Sequence, residues 1–239
     1  MVSTSFKIIN QMKKEAKNNT TKKQRADSYR FLSACFYLPQ KKMFLQENVF
    51  ENLTSALKQV CPEAKEFSSR MHKAMLLETE ENLAVDYAKL FVGPFELQAP
   101  PYGSVYLENE KRVMGDSTID VLKMYNDAGL FIGEDFKEMP DHIALELEFM
   151  YYLIEKEIQA SQELDAEMAL IFVEKQVIFF TKYLMRWVPS FCRKIKKDTG
   201  NKFYEALADC LLIFLKKEQE HIQTNLRDIN LELEKENNR

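Results

Sequence analysis

The chain has 239 residues, with 33 basic side chains against 37 acidic ones and a formal net charge of −4. So mild a balance argues against a nucleic-acid partner and against an anionic membrane surface, while 46% hydrophobic residues suffice for a self-sufficient core. Cys35, Cys61, Cys192 and Cys210 are too far apart for a CxxC unit, which leaves four reduced and mostly buried thiols rather than a zinc site or a redox pair.

Residues 1–22 are Lys-rich and poor in large apolar side chains, and they read as a loosely ordered extension without the apolar core of a secretory signal. No stretch approaches the ~18 apolar residues of a membrane span, so a soluble, cytoplasmic protein with no integral membrane segment is expected. Helical spacing then predicts helices over about 23–38, stopping at Pro39, over 43–60 (Met43, Phe44, Val49, Phe50, Leu53, Leu57, Val60), and over 63–78 and 80–92.

Breakers concentrate in 93–140, which holds Gly93, Gly103, Gly115, Gly129 and Gly133 with Pro94, Pro100, Pro101 and Pro140. Within it, Ser117-Thr118-Ile119-Asp120 reads as a capping box and Gly129 as a stop, which predicts a short helix at 118–128. Beyond Pro140, Ile143, Leu147, Met150, Tyr151, Ile154 and Ile158 form one apolar face of a mostly buried helix, 142–159. Leu170, Val173, Val177, Phe180, Leu184 and Trp187 step by three and four, the pattern of a packing seam, and Pro189 is expected to end or kink that helix. A last helix around Leu207, Leu211, Phe214, Leu215 and Ile222 runs into a charged tail.

No segment alternates as a strand would. The expected fold is all-α: one bundle of about 8–11 helices with an irregular Gly/Pro-rich middle. The organisation is an extension at 1–22, a helical domain at 23–225 (helices 23–92, a loop-rich hinge 93–140, helices 141–225) and a charged tail at 226–239.

Signatures of chemistry are scarce. The sequence has no phosphate loop, no GxGxxG, no HExxH and no GxSxG. Of three histidines, His72 and His221 lie in charged helical contexts that suit solvated side chains. Asp141-His142 opens the buried helix after Pro140, and the simplest role for Asp141 is its N-cap. The pair can also offer an acceptor to a cation. A second constellation is aromatic: Tyr87, Leu90 and Phe91 share a helical face before Gly93, followed by Pro100-Pro101-Tyr102-Gly103-Ser104-Val105-Tyr106. A Pro-Pro-Tyr segment cannot continue a helix, and rings with polar tips there either pack a junction or line a peptide groove.

At these places the sequence resembles the TorD/DmsD family of molybdoenzyme maturation chaperones. The matching words are Tyr87-Ala-Lys-Leu-Phe91-Val-Gly93, Ala99-Pro-Pro-Tyr-Gly-Ser-Val-Tyr106, Gly115-Asp-Ser-Thr118 and Pro140-Asp-His-Ile-Ala-Leu-Glu146-Leu. A weaker echo follows in Trp187-Val-Pro-Ser-Phe191 and Phe203-Tyr-Glu-Ala-Leu207. Tyr102 stands where the family often has tryptophan. The resemblance implies a cytoplasmic, non-enzymatic chaperone without a cofactor. Its partner would be the twin-arginine leader, or another segment, of a molybdopterin-dependent oxidoreductase subunit, held for cofactor insertion before export. It places peptide binding on Tyr87, Leu90, Phe91, Pro100, Pro101, Tyr102, Ser104, Tyr106, Asp141, His142 and Glu146. A homodimer stays open. So do two rival readings: a small enzyme using Asp141 and His142 as acid and base, and a structural helical scaffold.

Overall fold

The structure, a computed structural model, describes residues 19–93, 97–108, 114–133 and 138–237, with side chains up to residue 224. The expected extension at 1–22 lies outside the described residues up to residue 18, and from residue 19 the chain is helical. Helix α1 (19–34) is followed by α2 (Lys41–Gln46), α3 (Val49–Val60), α4 (Lys65–Leu77) and α5 (Glu80–Tyr87), which ends in a wider turn, Ala88–Val92. The middle supplies α6 (Ser104–Leu107) and α7 (Asp116–Asp127); α8 (Ile143–Gln162), α9 (Ala166–Phe179), α10 (Met185–Asp198) and α11 (Lys202–Asn237) complete the bundle. The fold is all-α, and the only β-type pairing among the described residues is an isolated bridge between Tyr102 and His142.

The central helix is α8, whose Ile143, Leu147, Met150, Leu153 and Ile154 are fully buried. It packs lengthwise on α9; α4 lies against α3 and α11, α10 against α11, and the short α6 bridges α7 and α10. All four cysteines are buried free thiols.

Several local expectations need correction. The stretch 43–60 is two helices, because Asn48 adopts a left-handed φ of 50° and reverses the chain between α2 and α3. Asparagine tolerates that conformation better than most residues. The capping box at Ser117 does not form. Gly115 occupies the N-cap of α7, and Glu108 Oε1 accepts from the Ser117 amide at 2.9 Å and from its hydroxyl at 2.7 Å. A Cβ at Gly115 would fall 1.5 Å from Glu108 Oε2, so glycine is what lets the carboxylate approach. Gly129 does end α7, with φ 79° and a hydrogen bond from the Leu130 amide to the Tyr125 carbonyl.

Pro189 does not end its helix, since α10 continues to Asp198. A π-helical turn, Phe180–Leu184, joins α9 to α10 ahead of it. The expected seam holds in its second half, where Phe180, Leu184 and Trp187 are fully buried; in its first half Leu170 is 39% exposed.

A buried ionic network ties α1 to α8, α9 and α11. Arg25 grips Glu218 in a fork (Nε to Oε1 3.0 Å, Nη2 to Oε2 2.8 Å), and its Nη2 also reaches Gln176 Oε1 at 3.4 Å. Gln176 donates to Glu157 Oε2 at 2.7 Å, and Lys22 pairs with Glu157 Oε1 at 2.6 Å. His221 is not a solvated residue but half-buried, and burial first, then Arg25, lowers its pKa. His72 stacks on Phe50 and faces Glu51 at 3.4 Å.

Candidate functional site

The middle segment returns to the mouth of α8 and is clamped there by backbone bonds. The Ile143 amide donates to the Pro101 carbonyl at 2.8 Å, and the Gly103 amide to the Asp141 carbonyl at 2.9 Å. Pro100 and Pro101 are buried and lack N–H groups, so they enter this junction without leaving donors unpaired.

The polar pair divides its work in the opposite way to the sequence expectation. His142, not Asp141, is the N-cap of α8: its backbone is extended (φ −67°, ψ 137°) and its Nδ1 accepts from the Ala144 amide at 3.2 Å. Asp141 turns to the other side, where Oδ2 accepts from the Ser104 amide at 2.7 Å and so satisfies the first turn of α6. The two neighbours thus cap two helices and lock them together.

An acceptor role requires a neutral imidazole, and the surroundings enforce it. Burial, between the stacked Tyr37 ring and the edge-on Tyr102 ring, lowers the pKa of His142 from 6.5 to about 4. A histidine held as a hydrogen-bonded cap is tuned for structure rather than for proton transfer. The linkage is testable. Between about pH 4 and 6.5 the unfolded chain binds a proton at this residue that the folded chain refuses. Its contribution to stability, up to about 3 kcal/mol, is therefore complete above pH 6.5 and is lost as pH falls toward 4. His142→Asn keeps a cap acceptor and cannot titrate. Urea unfolding across this window should show a shallower pH slope for the variant, and identical slopes would refute the assignment.

Behind the pair lies a third acid. Glu146 is fully buried and accepts from Trp187 Nε1 at 2.9 Å through Oε2. Burial is the main cause that raises its pKa well above 4.5; the Trp187 hydrogen bond opposes the rise and the charge of Asp141 adds to it. Burial and the charge of Asp141 thus both favour the protonated form of its carboxyl. The sign is opposite to that of His142: stability from Glu146 is full below pH 4.5 and declines as pH rises. Trp187 also stacks on Tyr106, with ring centroids 5.4 Å apart. A Cβ at Gly103 would meet Glu146 Oε1 and Trp187 Nε1, each at 3.1 Å, so glycine leaves room for this hydrogen bond beneath the clamped segment.

Of the eleven residues expected to bind peptide, Tyr87, Leu90, Phe91, Pro100, Pro101, Ser104, Asp141, His142 and Glu146 are buried, and Tyr102 and Tyr106 are half-buried. They fall into two connected groups. Tyr102, Ser104, Tyr106, Asp141, His142 and Glu146 form a polar–aromatic knot around the α8 mouth. Tyr87 and Phe91 sit deeper, in ring contact with each other, and Phe91 also touches Phe36, Phe191 and Tyr204. Tyr106 joins the two groups through Phe191.

The knot contains buried oxygens without a hydrogen-bond partner: Ser104 Oγ, Tyr106 Oη, Asp141 Oδ1 and Glu146 Oε1. Sequence reasoning missed three contributors. Tyr37 stacks on His142, Glu138 Oε2 accepts from the Tyr102 hydroxyl at 3.1 Å, and Trp187 anchors Glu146. Trp187 had a visible signal as the one tryptophan of the chain.

In this all-helical bundle, aromatic rings and unpaired buried oxygens thus gather where a clamped loop meets a helix mouth. Comparison with known proteins identifies the family. The model of the nitrate reductase delta subunit family matches residues 51–193. The chaperone protein TorD of Photobacterium profundum is 33% identical over 158 residues, covering 64% of this chain and 72% of its own. That of Aliivibrio salmonicida is 29% identical over 204 residues, 82% of this chain and 94% of its own. The Tat proofreading chaperone DmsD of Salmonella typhi is 29% identical over 129 residues, 54% of this chain and 56% of its own. The chain belongs to the TorD/DmsD family of redox-enzyme maturation chaperones, a family of chaperones rather than enzymes. Among the described residues no helix is long and apolar enough to cross a membrane.

Proposed function

We propose that this chain acts in the cytoplasm on a molybdopterin-dependent oxidoreductase subunit, binding its twin-arginine leader or another segment and holding it for cofactor insertion before export. The observation that supports this reading is the group of buried, unpaired oxygens in the knot, at Ser104 Oγ, Tyr106 Oη, Asp141 Oδ1 and Glu146 Oε1. A guanidinium brings five N–H donors in a rigid fork, which the lone pairs of these oxygens, the Asp141 carboxylate first, can accept. The half-buried rings of Tyr102 and Tyr106 flank the same place and suit the apolar stretch that follows the arginines in a leader. Because these oxygens are buried and Asp141 is bonded to the Gly103 and Ser104 amides, binding on this reading requires the segment 100–107 to move away from the α8 mouth, with Asp141 exchanging a backbone amide for the ligand.

The test is calorimetric titration with a twin-arginine leader peptide. Asp141→Asn retains an acceptor for the Ser104 amide, so the fold should survive, while the charge-assisted bond is lost and affinity should fall by about 1–3 kcal/mol. Tyr102→Ala and Tyr106→Ala should weaken binding while costing less stability than a fully buried ring. Equal affinity in all three variants, or binding that is indifferent to replacing both peptide arginines by glutamine, would refute the assignment.

A further inference from the structure

Two carboxyl groups are buried together at the mouth of α8. Asp141 is 1% exposed and Glu146 is fully buried. Each gives one oxygen to a neutral donor: Asp141 Oδ2 accepts from the Ser104 amide at 2.7 Å, and Glu146 Oε2 from Trp187 Nε1 at 2.9 Å. The other oxygens, Oδ1 and Oε1, have no hydrogen-bond partner. Both groups close on the same two residues. Asp141 holds the Gly103 and Ser104 amides through its carbonyl and its carboxylate, and Glu146 Oε1 lies 3.1 Å from where a Cβ of Gly103 would sit. Among the described residues neither carboxyl is in an ion pair.

The groups that face them from the neighbouring elements supply no positive charge. His142 accepts the Ala144 amide through Nδ1, which needs a neutral ring. From α7, the Tyr125 hydroxyl donates to the Pro140 carbonyl at 2.8 Å, and the Tyr102 hydroxyl donates to Glu138 Oε2 at 3.1 Å. Tyr106 of α6 and Trp187 of α10 are uncharged rings stacked on one another. Two ionised carboxylates in such a place are disfavoured by lost hydration and by mutual repulsion, and a pair of this kind keeps a proton. Burial first, and then the charge of Asp141, favour that proton on Glu146, against the Trp187 hydrogen bond.

A guanidinium removes the need for it. It is a fixed cation with five N–H donors, so both free oxygens can face it as carboxylates. Proton and guanidinium carry the same single charge, and one replaces the other without changing the net charge of the site.

We propose that the Asp141–Glu146 pair carries one proton in the free protein, and that an arginine of the bound leader displaces it from Glu146 to solvent. The displacement rests on the leader-binding function proposed above; the proton itself does not. Glu146 loses its O–H, both carboxylates accept from the guanidinium, and affinity rises with pH for as long as the free protein still holds the proton.

The experiment titrates a twin-arginine leader peptide with blocked ends into the full chain, at about pH 6, in buffers of different protonation enthalpy. The slope of apparent enthalpy against buffer enthalpy counts the protons. Wild type should release about one proton per peptide, and its association constant should rise by up to about tenfold per pH unit. Glu146→Gln keeps an acceptor for Trp187 but has no proton to give, so both effects should vanish in it. Infrared spectra of free wild type with isotope-labelled glutamate should show a protonated carboxyl band that disappears when peptide is added. That band and the wild-type pH slope need no variant, so they decide even where Glu146→Gln does not fold. Peptide binding without proton release, release that persists in Glu146→Gln, or no protonated glutamate band in the free protein would each overturn the proposal while leaving leader binding intact. A wild-type protein that does not bind the peptide at all would refute leader binding, and the displacement with it.

Discussion

Replacing Arg25 with alanine should destabilise the protein by about 3–5 kcal/mol, the usual loss when one partner of a buried ion pair is removed. The guanidinium and the Glu218 carboxylate are each only 3% exposed, and the fork between them closes α1 onto α11. Burial alone would lower the pKa of Arg25, but the charge and hydrogen bonds of Glu218 outweigh it and raise the value. Deleting the arginine strands a buried carboxylate and frees Gln176 Oε1, which Arg25 also contacts. Lysine should not rescue, since a single ammonium cannot span both carboxylate oxygens in the same plane. A paired change, Arg25→Met with Glu218→Leu, should recover most of the loss, because desolvating two charges already offsets much of their attraction. Denaturant unfolding of the single and double variants measures this coupling. Additive losses would mean that the two residues act independently, against the geometry described.

The sequence is most transparent where a pattern needs only one helix to be understood. The apolar face of α8 and the stop at Gly129 follow from spacing and from a residue that accepts φ 79°. The break at Asn48 is harder to see, since one left-handed asparagine splits what otherwise scans as a single amphipathic run. Periodicity also reports which side of a helix is apolar, not whether anything lies against it. Leu170 and Trp187 belong to the same three-four seam, yet one is 39% exposed and the other fully buried.

At the site, proximity in sequence misleads in a specific way. Asp141 and His142 are adjacent and look like one functional pair, but the extended backbone at His142 aims their side chains at two different helices. Which of two polar neighbours becomes a cap depends on one pair of dihedral angles that composition does not reveal. The partnership of Glu146 with Trp187 spans 41 residues and depends on two helices meeting under Gly103, a tertiary fact with no local signature.

That partnership supports the second large effect. Trp187→Ala should cost about 3–5 kcal/mol, since it empties the space of a fully buried indole and removes ring contacts to Tyr106 and Phe191. Trp187→Phe separates two contributions. It keeps a ring against Tyr106 but deletes the N–H that satisfies Glu146 Oε2, while Glu146 Oε1 already lacks a partner. A buried carboxyl with neither oxygen paired should cost about 1–3 kcal/mol. Adding Glu146→Leu to Trp187→Phe should restore much of that loss by removing the stranded group, whereas adding it to Trp187→Ala should not refill the cavity. The chain has one tryptophan, so the melts must be followed by circular dichroism. The measurement that decides is the coupling between the two sites. A Trp187→Phe variant as stable as wild type would show that Glu146 finds another donor, and that the indole serves as packing alone.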